Sequence, residues 1–322
     1  MYYLGVDGGG TKTEALICDR NGVVKGWGYA GGSNYIPNEK QAYSEIERSV
    51  NIACEKANIS IKDITYACFG LAGADRKKDI IHLEKLLSPL GIKNFTIKVD
   101  AYIGLRAMIK KPKGIAIVCG TSTNAIGVYN DTYFQLGGFG YFRGDFGGGS
   151  FLSKETFRHV IRVAQGREDF SYIVELVLKQ LNFPTIQKFL DYYLNNLHEI
   201  PVHLTPLIFE AAQSNDVFAN KLLNKQAEEL ALSTYIVYQK LFSNVDGPIP
   251  VIFIGSLLTK PDTYILREKV ISHLETYSID YELYPFNSRP VFGANIVALM
   301  NCGHGPFDLL QKNLNTTYMG VK

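Results

Sequence analysis

The feature that most constrains this chain is a pattern that occurs twice: strand, small-residue turn, strand, tight turn, strand. Residues 2–6 read as a strand entering Gly8-Gly9-Gly10, and residues 13–18 as the strand after it. Asn21-Gly22, a two-residue hairpin signal, then precedes a third strand over 23–28. The same order returns as a strand over 115–119, the turn Gly120-Thr121-Ser122-Thr123, and strands over 125–129 and 133–136. The copies share arrangement rather than sequence, which predicts a duplicated α/β fold of two lobes.

The rest of the chain fills in around these copies. Tyr43, Ile46, Val50, Ala53 and Ala57 recur at helical spacing. A strand over 66–71, a helix around 79–87, a strand over 95–99 and a helix over 101–109 complete a first lobe. Lys110-Lys111-Pro112-Lys113-Gly114 is a polar breaker, so we expect one lobe at 1–110 and a second at 111–322. Within the second, 150–243 reads as almost wholly helical. An apolar strand over 251–254, a last strand over 281–283 and a closing helix over 293–302 follow.

Composition narrows the function classes. The 322 residues are 46% hydrophobic and 20% charged with a formal net charge of +2, which favours neither a nucleic-acid nor a membrane-surface binder. Cys18, Cys54, Cys68, Cys119 and Cys302 form no CxxC pattern and are odd in number, so free thiols are expected rather than a disulfide framework. Cys302 and His304 have no further ligand beside them, and packing is the expected role. No basic region with an apolar stretch opens the chain and no run is long enough to span a bilayer, so a cytoplasmic protein is expected. Asn315-Thr316-Thr317 fits the glycosylation pattern but carries no meaning without secretion.

Four loops and one strand-end carboxylate carry chemistry. In Asp7-Gly8-Gly9-Gly10-Thr11-Lys12-Thr13, glycines allow close backbone approach and positive φ, so several N–H groups could face phosphate oxygens. Thr11 and Thr13 add hydroxyls, and Asp7 is placed to hold a phosphate-bound Mg²⁺ through water; a plain hairpin turn is the alternative. The spacing is not that of a Walker A loop. Cys119-Gly120-Thr121-Ser122-Thr123-Asn124 repeats the design in the second copy. Ile254-Gly255-Ser256 ends a strand in small residues, which suits either a flat adenosine or simple strand termination. Asp100, at another strand end, is either a ligand-side carboxylate or an N-cap. Seven glycines in residues 137–149 mark a loop that surrounds a ligand, with Asp145 also able to cap the next helix.

Together and in order, these motifs make the chain resemble the N-acetylglucosamine kinase branch of the activator ATPases of benzoyl-CoA reductase and hydroxyglutaryl-CoA dehydratase, within the actin-like ATPase superfamily. The resemblance implies a two-lobed, ribonuclease-H-like fold with duplicated βββαβαβα lobes and a helical insertion in the second. It implies ATP and Mg²⁺ as cofactors, an amino sugar as acceptor and a homodimer. Asp100 would be the catalytic base, and Asn34, Tyr35, Thr123, Asn124, Gly138, Phe139, Gly140 and Asp145 would meet the sugar. Gly8, Gly9, Gly10, Thr11, Lys12, Thr13, Gly120, Thr121, Gly255 and Ser256 would meet the nucleotide, with Ala211 packed against it.

One departure concerns the acceptor. The family's Gly-Asp-Glu-Gly-Ser is here Gly144-Asp145-Phe146-Gly147-Gly148, so a carboxylate has become a phenyl ring. Phe146 would then offer an apolar wall, and Arg143 a planar fork, to the lactyl ether of N-acetylmuramic acid; Arg143 pointing to solvent or to a surface acid is the alternative. Two rivals to the kinase are expected to fail on chemistry. An activator ATPase needs clustered cysteine ligands, and a sugar-sensing repressor needs a DNA-binding extension that this chain does not show.

Overall fold

The computed structural model describes residues 1–130, 132–196, 202–285 and 287–318. In the first lobe β1 (Tyr2–Gly8), β2 (Lys12–Asp19) and β3 (Val24–Gly31) form an antiparallel meander. β4 (Ile64–Leu71) and β5 (Phe95–Val99) add in parallel, giving the order β3-β2-β1-β4-β5. The second lobe repeats this with β6 (Lys113–Cys119), β7 (Thr123–Tyr129), β8 (Thr132–Gly137), β9 (Ile249–Ile254) and β10 (Tyr281–Tyr284), ordered β10-β9-β6-β7-β8. Strand for strand the two sheets are equivalent, so the duplication read from the sequence is present.

Helices cover the sheets where apolar spacing predicts them. α1 (Glu39–Ala57) starts where the Asn38 side chain accepts from the Gln41 N–H and ends at Asn58 in the left-handed conformation, φ 53°. α2 (Lys77–Leu87) and α3 (Asp100–Met108) complete the first lobe. Between β8 and β9 the expected helical stretch resolves into α4 (Gly148–Ala164), α5 (Tyr172–Gln180), α6 (Ile186–Asn195), α7 (Thr205–Gln213) and α8 (Val217–Leu241). Of that stretch, residues 197–201 lie outside the described residues. Strand alternation sorts the second sheet's faces. Ile115, Ile117 and Ala125 join the core with the helical insertion, while Ala116, Ile126, Val128, Ile252 and Ile254 pack with Leu105 of α3.

The expected second lobe, 111–322, is not one continuous body. After α9 (Ser256–Thr259), α10 (Tyr264–Leu274) and β10, the chain returns to the first sheet as α11 (Pro290–Asn301) and α12 (Phe307–Thr317). Val291, Phe292, Ile296, Phe307 and Leu310 are buried there with Tyr3, Leu16 and Cys68. The breaker at 110–114 marks a change of sheet, but the last two helices bury their apolar faces on the other one. α12 was not expected at all, because its polar exterior gives a weak apolar run.

α3 therefore lies between α11 and the second sheet, at the junction of the lobes. Gly293 makes this possible: a Cβ there would stand 1.8 Å from the Ile103 carbonyl oxygen. Gly293→Val should force α11 off α3, costing about 1–3 kcal/mol or more by overpacking. Urea unfolding checks this, and an unchanged midpoint would contradict the close crossing.

Candidate active site

Parallel strands end at a common edge, and connections there gather ligands. In the first lobe that edge carries Asp7 on β1 and Asp100 immediately after β5. In the second it carries Gly120 after β6 and Gly255 after β9. The two edges face each other across a cleft of about 600 Å³, lined by Thr11 from the first lobe and by Gly120, Thr121, Thr205, Phe209, Glu210, Ser256 and Leu257 from the second. Apolar walls with convergent hydroxyls and a volume in this range suit a nucleotide-sized ligand.

The first loop works differently from the sequence reading. Gly8, Gly9 and Gly10 do not occupy the left-handed region. What glycine supplies is clearance, since a Cβ on Gly8 would meet Ser33 Oγ at 2.5 Å and Leu71 Cδ2 at 2.6 Å. Gly9 donates to the Lys12 carbonyl and accepts from the Ser33 N–H, tying the loop to the segment after β3. Thr11 alone of this loop lines the cleft. Lys12 leans to Glu14, with Nζ 3.7 Å from Oε2. Thr13 is fully buried; its hydroxyl donates to the Gly31 carbonyl and pairs with the Ser33 hydroxyl, each at 2.7 Å. Thr13 is thus a positioning residue for Ser33 and Asn34.

The second loop is stapled to α4. Gly149 N–H donates to the Gly120 carbonyl at 2.8 Å and Ser150 N–H to the Thr121 carbonyl at 3.1 Å, leaving the Thr121 side chain exposed to the cleft. Gly255, at φ 93°, caps α9, and a Cβ there would stand 2.4 Å from the Cys119 carbonyl oxygen. Ala211 does not reach the cleft. It is fully buried, and its α7 neighbours Phe209, Glu210 and Gln213 line the wall instead.

On the acceptor side, Asn34 folds its own loop, with Oδ1 accepting from the Ile36 N–H. Tyr35, expected against the ligand, is buried and its hydroxyl donates to Asp79 Oδ1 at 3.0 Å, anchoring that loop to α2. Asp79 is held below the usual carboxylate range by the Arg76 guanidinium bonded to it. Gly137, Gly138, Gly140, Gly144, Gly147 and Gly148 all take positive φ, so this loop is where left-handed freedom is used. Asp145 does not cap α4. Its Oδ2 accepts from the Gly140 N–H and so closes the loop on itself, beside exposed Phe139. Gly138 N–H donates to the Thr123 carbonyl, and Asn124 Oδ1 is buried without a partner.

Phe146 lines a cavity of about 290 Å³ with Thr123, Asn124, Phe139, Arg143 and Asp145, and it is also held by aromatic packing. Its ring packs on Tyr141 and Phe151, with the Lys225 ammonium 4.3 Å from its centroid. Arg143 is exposed and donates to the Phe139 carbonyl at 3.3 Å.

Electrostatics single out two carboxylates. Burial pushes Asp7 up to about 7, opposed by Lys12 and reinforced by Asp100 and Glu14. No hydrogen bond or ion pair reaches the Asp7 carboxylate among the described residues. A half-buried, uncompensated carboxylate beside a phosphate-sized loop fits a water-coordinated divalent cation. Burial pushes Asp100 up to about 6, and the Asp75 charge adds to this. Asp100 does not act as the N-cap, a position Val99 takes; it is the first residue of α3, and its Oδ1 accepts from the Ala101 N–H at 2.8 Å. Motif reading missed Asp75 and Gln135. The signal for Asp75 was present, since it follows β4 at the same edge as Asp7 and Asp100.

Two equivalent lobes, each presenting a small-residue loop to one interlobar cleft, define an ATPase of the two-lobed, actin-like class. The chain belongs to the BadF/BadG/BcrA/BcrD ATPase family, whose profile matches residues 4–298. It is 26% identical to an N-acetyl-D-glucosamine kinase of Dictyostelium discoideum, covering 92% of this chain and 97% of the relative. It is also 26% identical to an N-acetylmuramic acid/N-acetylglucosamine kinase of Clostridium acetobutylicum, over 94% of this chain and 99% of that one. Among solved structures, a Chromobacterium violaceum protein provisionally assigned as an N-acetylglucosamine kinase superposes with TM-score 0.66 at 18% identity, covering 96% and 98% of the two chains.

Proposed function

We propose that this protein is an ATP-dependent amino-sugar kinase that transfers the γ-phosphoryl group to a sugar hydroxyl, the 6-OH of N-acetylglucosamine being the first candidate. The observation that carries the reading is a nucleotide-sized cleft lined by Thr11 of the first loop and by Gly120 and Thr121 of the second, with Asp7 and Asp100 at the ends of β1 and β5 in the first sheet. Full-length similarity to the two named kinases supports it.

In this reading Asp100 accepts the proton of the attacking hydroxyl. One of its oxygens is held by the Ala101 N–H, which orients the carboxyl group. Asp7 would hold Mg²⁺ through water, and the bound ion would offset charge on the phosphates. Thr11, Thr121 and Ser256 contact the nucleotide, and Phe209 and Leu257 give the base an apolar wall. Asn34, Asn124, Gly138 and Asp145 receive the sugar, with Ser33 and Thr13 fixing the Asn34 loop. Closure of the lobes excludes water, which limits wasteful hydrolysis.

The rival electron-transfer activator needs available thiolates. Cys18, Cys54, Cys68 and Cys119 are buried, and burial raises each thiol's pKa, so none is presented as a cluster ligand. The reading also carries a cytoplasmic homodimer, which sedimentation tests for its oligomeric part. Among the described residues no helix is long and apolar enough to cross a membrane.

A panel of amino sugars with ATP, read by ADP release, tests the function; no sugar-stimulated release would overturn it. For substrate range, Arg143 lines a smaller cavity with Asn124, Asp145 and Phe146, where its guanidinium could pair with a lactyl carboxylate in a charge-assisted bond of about 1.5–3 kcal/mol. Arg143→Ala should lower kcat/KM for N-acetylmuramic acid about tenfold or more while sparing N-acetylglucosamine. Equal losses on both sugars, or a wild type that ignores the former, would remove Arg143 from acceptor selection.

A further inference from the structure

Asp75 and Gln135 come from opposite lobes and meet. Asp75 follows β4, Gln135 stands on β8, and Gln135 Nε2 donates to Asp75 Oδ1 at 2.8 Å. Strand register explains why this glutamine points across the cleft. Gln135 pairs with Ile126, whose side chain belongs to the face that packs on α3. Two residues earlier on the same strand, Tyr133 shares a crevice with Ala74 and Ile80, so β8 touches the first lobe at two successive positions of one face.

The surroundings are those of a ligand site rather than a finished interface. Gln135 Oε1 is buried without a partner, and so is Asn124 Oδ1 on the adjoining strand, also on that face. Buried acceptors are nearly always satisfied, so two orphans side by side mark where hydrogen-bond donors belong. A sugar offers such donors in its hydroxyl and amide groups.

We propose that the Asp75–Gln135 hydrogen bond is a latch that holds the lobes closed over the acceptor, and that the free Oε1 of Gln135 receives an acceptor hydroxyl or amide donor beside Asn124. This rests on the amino-sugar kinase reading for the identity of the acceptor, but the latch itself does not. Asp75 is a positioning residue here, and Gln135 both positions and contacts the acceptor: opening the latch moves Asn124 and Asp145 away from Asn34 and Asp100. The carboxylate acceptor makes the bond charge-assisted, which is why one contact can bias closure.

Four proteins test this: wild type, Gln135→Leu, Gln135→Glu and the double variant Asp75→Asn with Gln135→Glu. Gln135→Leu removes both the latch donor and the acceptor-facing oxygen, so the KM for N-acetylglucosamine should rise about tenfold or more, with kcat changed far less, and the radius of gyration reads the latch separately. Gln135→Glu opposes two carboxylates and should be worse. The double variant exchanges the two groups, so that an amide on the first lobe donates to a carboxylate on β8, and it should recover most of the lost KM. Small-angle scattering of the ligand-free proteins should show larger radii of gyration for the two single variants and a wild-type value for the double variant. Melting temperatures identify any variant that has merely lost stability, and the double variant guards against that outcome. An unchanged KM and radius in Gln135→Leu, or no recovery in the double variant over Gln135→Glu, overturns the latch. If wild type phosphorylates no amino sugar, the kinase reading falls, and scattering alone decides the latch.

Discussion

Asp100→Asn is expected to lower kcat by about 10²–10⁴-fold, the usual contribution of a general base, while ATP and sugar affinities stay within about tenfold. The amide keeps the oxygen that accepts from the Ala101 N–H, so α3 should start as in the wild type. It cannot take a proton. Burial raises the Asp100 carboxyl to about 6, so the wild-type rate should fall as pH drops through that value and level off above it. Rapid-quench turnover with calorimetric binding separates rate from affinity. A variant with half the wild-type turnover would sink the assignment, and one that folds but no longer binds sugar would move Asp100 to a binding role.

Asp7→Asn should raise the Mg²⁺ and ATP concentrations needed for half-maximal rate by far more than it raises the sugar requirement. It should also stabilise the ligand-free protein, and the sign follows from the raised proton affinity. The folded carboxyl titrates near 7 and the unfolded one near 3.8, so the folded state binds the proton more tightly. Between those values the buried charge increasingly costs stability, and above about 7 the cost is complete. The variant should therefore melt higher than wild type above that pH and equally below 3.8. If Asp7 merely closes a turn, the variant should melt lower at every pH and leave nucleotide kinetics alone. Magnesium titrations and melting curves on one preparation distinguish these results.

A large part of the fold was legible because it rests on local signals. The short apolar runs of β1 and β2, the Asn21-Gly22 turn and the small-residue breaks at Gly120 and Gly255 each act within a few residues, so both copies of the sheet could be read in order. The strand-end carboxylates Asp7 and Asp100 were legible for the same reason, since parallel strands present their carboxyl ends along one edge. Thr13, Tyr35 and Ala211 lie in the expected motifs yet face the interior. A motif names a stretch of backbone, and the neighbours that pack on it decide which side chains remain outside.

By itself the sequence determined the duplicated lobes, the loops that end their central strands and the carboxylates on those ends, because backbone preference and apolar period are properties of short segments. Only the tertiary structure decided that α11 and α12 return to the first sheet, that Gly293 lets α3 sit between the lobes, and that Gln135 finds Asp75. Each of these depends on which apolar face covers which sheet, and burial of that kind is settled between segments far apart in the chain, where no local pattern reaches.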